Sequence, residues 1–210
     1  FIVPLLVDTE LFFPRDKGES RRALGLPEGI PIVLFVGRLD PVKAIPDLLR
    51  AFALLSAAQE AHLVLVGEGP ERNRLRNLAE RLGIAGRVQF AGRKSREEVP
   101  CWMSAADLLA LPSSSEGFGL VLAESIACGR PVVATRCGGP EDIITPEVGR
   151  LAPCRCPEAL NDAMAQVLAS LDSFPPSQLA ARARELWAPA SIVSRIAQVY
   201  HRCLAEGNGQ

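Results

Sequence analysis

Apolar residues along this chain fall into two alternating rhythms. Short continuous runs, Ile32 to Val36, His62 to Val66, Val88 to Phe90, Asp107 to Pro112 and Pro131 to Ala134, have the length of buried strands, and Gly149 to Ala152 reads as a last one. Between them the spacing changes to that of a helix. Ile45, Leu48, Leu49, Phe52 and Leu55 mark one helical face; Leu75, Leu78 and Leu82 mark another that closes at Gly83. A further helix is predicted from Arg96 to Ala105, and one from Leu120 to Cys128, with Gly129 where a left-handed cap belongs and Pro131 just past it. Gly138 to Asp142 turns into a short helix, and Glu158 to Leu171, Ser177 to Leu186 and Ser191 to Leu204 complete the set. Strands alternating with helices predict an α/β fold, a Rossmann-like parallel sheet with helices on both faces.

The polar stretches divide the chain. Residues 1–30, with scattered apolar groups, a polar run from Arg15 to Arg22 and a turn at Pro27-Glu28-Gly29, read as a linker feeding a domain over 31–190; 191–210 reads as a C-terminal helix and tail. The chain opens on Phe1 rather than Met, and Phe1 to Val7 is too short and uncharged for a signal peptide, so it is expected to be cut from a longer protein.

In a parallel sheet the loops that follow the strands gather at one edge. Arg38, Lys43, Gly67 to Gly69, Arg93 and Glu116 to Gly119 all fall in such loops and should face one crevice. Arg38 and Lys43 can neutralise a diphosphate, one as a planar fork and one as a mobile point charge, or they are two solvated loop cations. Glu116 precedes a helix N-terminus, where free N–H groups favour an anion. Glu124 is the only charged residue from Gly117 to Gly129, so a carboxylate on a largely buried helix needs hydrogen-bond donors. The bland alternative is that Gly117 and Gly119 only make a turn and Glu124 is partly exposed. Trp102 reads as packing rather than as a stacking platform.

Composition narrows the classes. A 48% hydrophobic chain of 210 residues can bury a full core, and its net charge of -1 gives no reason to expect nucleic acid or an anionic membrane surface as a partner. No apolar stretch reaches the roughly 18 residues that span a bilayer. Six cysteines lack paired metal-ligand spacing; Cys154-x-Cys156 could clip a metal or oxidise, but free thiols in a reducing cytosol are expected. The first strand exits into a single glycine, Gly37, so a dinucleotide fingerprint is missing, and there is no Asp-x-Asp.

Pro112-Ser113 followed by Glu116-Gly117-Phe118-Gly119-Leu120, with Glu124 eight positions after Glu116 and then Ala127-Cys128-Gly129-Arg130-Pro131-Val132-Val133-Ala134-Thr135, resembles the E-x7-E motif of retaining glycosyltransferases of family 4. Gly37-Arg38-Leu39-Asp40-Pro41-Val42-Lys43 is similar to that family's donor-phosphate motif, although its usual next glycine is Ala44 here. Pro4 to Asp8 is similar to the family's interdomain crossover but lacks its Asn-Gly.

The resemblance covers about Val3 to Tyr200 and implies the C-terminal half of a GT-B fold, with the N-terminal acceptor domain missing. It implies that Arg38 and Lys43, next to Gly37, hold the diphosphate and stabilise the leaving group. Glu116 would bond the donor sugar, Glu124 the ribose, and the N–H groups near Gly119 and Leu120 the phosphate. Gly67, Gly117 and Phe118 would line the donor site, with the base against Arg93 and Lys94. The expected partner is a nucleotide-diphospho-sugar with no cofactor or metal, in a cytoplasmic protein that meets membrane only through the missing part. Family members transfer a hexosyl group with retention and no protein nucleophile is assigned. A non-catalytic nucleotide-sugar sensor or scaffold is the alternative; an epimerase or phosphorylase of similar fold fits less well.

Overall fold

The computed structural model describes residues 5–207, and side chains as far as position 201; Pro4, the last residues of the tail and the Cys203 side chain lie outside the described residues. Six parallel strands, β1 (Ile32–Val36), β2 (His62–Val66), β3 (Val88–Gly92), β4 (Leu108–Leu111), β5 (Val132–Thr135) and β6 (Gly149–Ala152), form one sheet in the order β3-β2-β1-β4-β5-β6. The strands are apolar on both sides because both sides are covered: every residue of β4 and β5, and Ile32 to Phe35 of β1, is buried.

The helices between them are α1 (Lys17–Leu24), α2 (Ile45–Ala58), α3 (Arg72–Arg81), α4 (Val99–Ala105), α5 (Leu120–Ala127), α6 (Pro140–Ile143), α7 (Pro157–Ala169), α8 (Pro176–Trp187) and α9 (Pro189–Gly207). In the packing, α2 meets α3 and α7, while α1 meets α4, α4 meets α5 and α5 meets α8. Two such layers, one on each face, are what right-handed crossovers give when strand order reverses at β1. The face read from the sequence of α2 is the buried one, since Ile45, Leu48, Leu49, Phe52 and Leu55 are each at most 1% exposed. Each such side chain contributes about 1.5–3 kcal/mol. Gly129 takes the left-handed conformation expected of it (φ 74°). Several boundaries move: β3 runs on to Gly92, α9 begins at Pro189 and reaches Gly207, and α4 starts at Val99 because Ser95 to Glu98 form a turn.

One element departs from the sequence reading. The polar run taken for linker contains α1, capped by Asp16, whose side chain accepts from the Glu19 N–H at 2.7 Å, and closed by left-handed Gly25. Its anchor is charged, so no apolar stripe betrays it. Arg21 is buried and donates to Asp107 Oδ2 at 2.6 Å and to the carbonyls of Ala105, Pro27 and Ile30. Asp107, just before β4, also accepts from Lys17 Nζ (2.9 Å) and from the Ile32 N–H that opens β1 (2.7 Å). One carboxylate therefore fixes α1 and the N-terminal ends of both central strands. Val7 and Phe12 are buried as well, and the Val7 N–H reaches Trp187 O at 2.8 Å, so this segment packs along the sheet domain.

Asp107→Ala should therefore cost about 3–5 kcal/mol, because it leaves Arg21 charged and buried without its carboxylate. Urea unfolding measures it; a loss below about 1 kcal/mol would contradict this anchoring role.

Candidate functional site

All six strands deliver their following loops to one edge, and the crevice lies where β1 and β4 part, the place where an open α/β sheet binds ligands. The loops after β1 and β2 are packed backbone to backbone. Gly37 N–H donates to Val66 O (3.0 Å), Leu39 N–H to Glu68 O (2.9 Å), and Gly67 N–H to Gly92 O (2.9 Å). A side chain at Gly67 would put its Cβ 1.8 Å from Gly37 O, and one at Gly69 would come 2.3 Å from Leu39 O. These glycines serve close approach between loops. Beside them opens a cavity of ≈ 580 Å³ lined by Gly37, Arg38, Gly67, Glu68, Arg93, Lys94 and Val99, with others. Glu68, placed by the sequence in a crevice loop but given no role there, faces this cavity and pairs with Arg72. Lys94 stands 5.4 Å from the Trp102 ring, and Trp102 is buried, so the indole packs and offers no face for stacking. A second cavity, ≈ 430 Å³, opens around Leu26, His62 and Arg87 at the opposite sheet edge.

The other predicted residues gather next to the cavity, across the β1/β4 gap. Lys43 Nζ donates to Glu116 Oε2 at 2.6 Å, and Ser113 Oγ donates to the same oxygen at 3.2 Å. Val42 O accepts from the Ser114 N–H (2.8 Å) and hydroxyl (3.0 Å), so the loops after β1 and β4 are joined through backbone as well as through charge. Arg38 is not part of this pair: its side chain is 72% exposed and nearest Asp40, 3.5 Å away. Ala44, where the resembling motif has glycine, holds a left-handed conformation (φ 46°, ψ 36°). The backbone turn of the motif is kept without its usual residue.

Glu116 is held from the far side too. Gly139 N–H donates to Glu116 O at 2.8 Å, and a Cβ on Gly139 would strike the Phe118 backbone at 2.4 Å. Gly119 (φ 84°) then turns the chain into α5, while Gly117 has open space around it. At the start of α5 the Leu122 N–H donates to Gly119 O at 2.8 Å, which leaves the N–H groups of Leu120 and Val121 without an intrahelical acceptor.

Glu124 is half-buried, as in the bland alternative; among the described residues no hydrogen bond to its carboxylate is found, and its oxygens stay open to solvent. Burial pushes it up to about 7, with only the Arg96 charge opposing. Arg96 is itself engaged by Asp8, 3.6 Å away. Among the described residues no three His, Cys, Asp or Glu side chains are placed to hold a metal, and no helix is long and apolar enough to cross a membrane.

Residues 16–185 match the sequence family described as Glycosyl transferases group 1. The chain is 42% identical over 171 residues to a D-inositol 3-phosphate glycosyltransferase of Mycolicibacterium gilvum, covering 78% of this chain and 38% of that protein. It is 45% identical over 143 residues to one from Catenulispora acidiphila, covering 63% and 34%. The chain thus spans about a third of the length of these curated relatives. Among solved structures it resembles sucrose-phosphate synthase from Thermosynechococcus elongatus (TM-score 0.86, 32% identity, 98% of this chain and 53% of that one). It also resembles Anabaena HepE in complex with UDP (TM-score 0.81, 26% identity, 93% and 56%). These neighbours are GT-B glycosyltransferases, so the Rossmann-like sheet has the fold class read from the sequence.

Two sets of substitutions test the loop geometry. Ala44→Gly relieves a left-handed alanine at roughly 1–2 kcal/mol and loses about 0.4–1 kcal/mol through a freer unfolded chain, so it should stabilise by about 0.5–1 kcal/mol. Gly67→Ala should destabilise by about 3 kcal/mol or more and Gly117→Ala by less than about 0.5 kcal/mol. Urea midpoints decide; equal costs at Gly67 and Gly117 would refute the packing of the loops.

The Glu124 carboxyl titrates near 7 when folded and lower when unfolded. Its burial costs nothing below pH 4, where both states are protonated, and the cost grows as pH rises to about 7. Glu124→Gln should then stabilise by about 1–3 kcal/mol at pH 8 and by almost nothing at pH 4. A gain independent of pH, in paired urea titrations, would contradict this.

Proposed function

The chain belongs to the family Glycosyl transferases group 1, and from that premise we propose that it is the donor-binding part of a retaining, metal-independent hexosyltransferase whose donor is a nucleotide-diphospho-sugar. The observation that carries the reading is the Lys43–Glu116 pair, 2.6 Å across the β1/β4 gap and beside a cavity of nucleoside size. An ammonium has three N–H groups, so Lys43 can keep Glu116 and still give two to phosphate oxygens. Its charge partly offsets the carboxylate's repulsion of the diphosphate. Arg38, exposed and weakly held at Asp40, is free to swing in as a second cation. Together they stabilise the departing diphosphate, the work a metal does elsewhere.

The remaining groups follow from position. The base lies in the cavity against Arg93, Lys94 and Gly67. The α5 N-terminus at Gly119 and Leu120 receives a phosphate oxygen, with Gly117 and Phe118 forming the approach. Ribose hydroxyls supply Glu124 with the donors it lacks. Glu116 bonds a hydroxyl of the sugar. Transfer proceeds at the front face, the leaving phosphate helping to take the acceptor's proton, and no side chain acts as nucleophile. The acceptor wall belongs to an N-terminal domain of the full-length protein, so the isolated chain binds donor without transferring sugar. Five free thiols among the described residues suit a cytoplasmic setting.

UDP is the first ligand to test, because HepE, which this chain resembles, was solved with UDP and with UDP-glucose. In calorimetry Lys43→Ala should weaken UDP binding by about 10- to 150-fold, the worth of charge-assisted bonds of about 1.5–3 kcal/mol, and leave uridine binding unchanged. Equal losses for UDP and uridine would place the diphosphate elsewhere. No heat from folded protein with UDP, GDP or ADP would remove the proposal.

A further inference from the structure

Two thiols lie near each other beside the Glu116 loop. Cys137 lies two residues past the end of β5 and Cys154 two residues past the end of β6, whose register pairs Thr135 with Ala152. Arg136 N–H donates to Ala152 O at 2.8 Å and carries the ladder beyond the strands. Past that step the chain leaves the ladder, Arg136 and Cys137 in a bend and Cys154 and Arg155 in a turn, so both cysteines stand just beyond the paired ends of β5 and β6. Neighbouring strands stand about 4.8 Å apart, within the Cα separation of about 4.4–6.8 Å that a disulfide needs. The sulfur contacts agree. Cys154 Sγ donates to Arg136 O at 3.1 Å, the carbonyl of the peptide leading into Cys137, and lies 3.8 Å from Ser113 O. Thr135 Oγ1 donates to that same Ser113 carbonyl and lies 3.7 Å from Cys137 Sγ. Both thiols are half-buried, within reach of a small reagent.

Cys128 and Cys156 lack this arrangement. Cys128 is fully buried, its thiol pushed up to about 12. Cys156 follows Arg155, left-handed at φ 56°, and its Sγ lies 3.7 Å from the Glu158 carboxylate instead.

We propose that Cys137 and Cys154 are a modification site, oxidised by a small-molecule disulfide such as glutathione disulfide to an intrachain disulfide that braces the Glu116 loop. Cys154 thiolate attacks one sulfur of the reagent, forming a mixed disulfide and releasing one glutathione thiolate. Cys137 thiolate then displaces the second glutathione. Two protein thiols are oxidised, one reagent disulfide is reduced, and the two protons end on the two glutathiones. Burial pushes the Cys137 thiol up, which makes it the slower first attacker and leaves the opening step to Cys154. The cross-link reaches the donor side because Cys137 O accepts from the Glu116 N–H at 3.4 Å and Gly138 forms a bridge with Glu116.

The test needs no sugar donor, so it stands or falls separately from the transferase reading. Folded protein is incubated with oxidised glutathione, quenched in acid, alkylated and digested without reduction. The expected product is the Cys137–Cys154 linked peptide pair; Cys137→Ser should stop at a glutathione adduct on Cys154. Hydrogen exchange over residues 113–119 should be slower in the oxidised wild-type protein than in the reduced one. Cys154 linked to Cys156, or separate adducts on Cys137 and Cys154 of wild-type protein, would overturn the pairing. Unchanged exchange over 113–119 with the link formed would overturn the brace.

Discussion

Strand order turns back at β1, and with six parallel strands this leaves a single gap, between the exits of β1 and β4, into which both neighbouring loops must descend. The Lys43–Glu116 ion pair closes that gap. Its position follows from the fold rather than from either residue: Asp107 sets the starts of β1 and β4 level at the opposite edge, so strands of five and four residues deliver their loops to the same height. Val42 O, bonded to the Ser114 N–H and hydroxyl, then fixes lysine and carboxylate relative to each other. Cation, anion and helix N-terminus share one crevice because the backbone leaves them nowhere else to go.

Three groups of this site are only lightly engaged by the rest of the described chain. Half-buried Glu124 has no hydrogen bond among the described residues, Arg38 reaches its near neighbour Asp40, and Leu120 and Val121 open α5 with N–H groups that have no intrahelical acceptor. A ligand that brings hydroxyls to the carboxylate and phosphates to the cations and N–H groups satisfies all three at once. That complementarity is the physical content of the donor-site proposal.

Sequence and structure agree where apolar pattern decides. The strand β1, the buried stripe of α2 and the left-handed Gly129 were legible because burial on two faces, helical period and positive φ each restrict residue type. The helix α1 was not, since Arg21 and Lys17 hold it to Asp107 and a charged anchor looks like solvated surface. Among site residues, the loops could be placed at one edge, yet which groups touch could not. Arg38 and Lys43 look alike in the motif but engage different carboxylates, and the roles of Ser113 and Glu68 depend on three-dimensional neighbours that no local spacing encodes.

The proposed place of the diphosphate is the β1/β4 gap. Amide chemical shifts of the isotopically labelled chain during UDP titration test it most directly. The largest changes should fall at Arg38, at Lys43 and Ala44, and from Gly117 to Val121, with smaller ones around Gly67 and Arg93. Changes centred instead on Leu26, His62 and Arg87, at the opposite edge of the sheet, would contradict it.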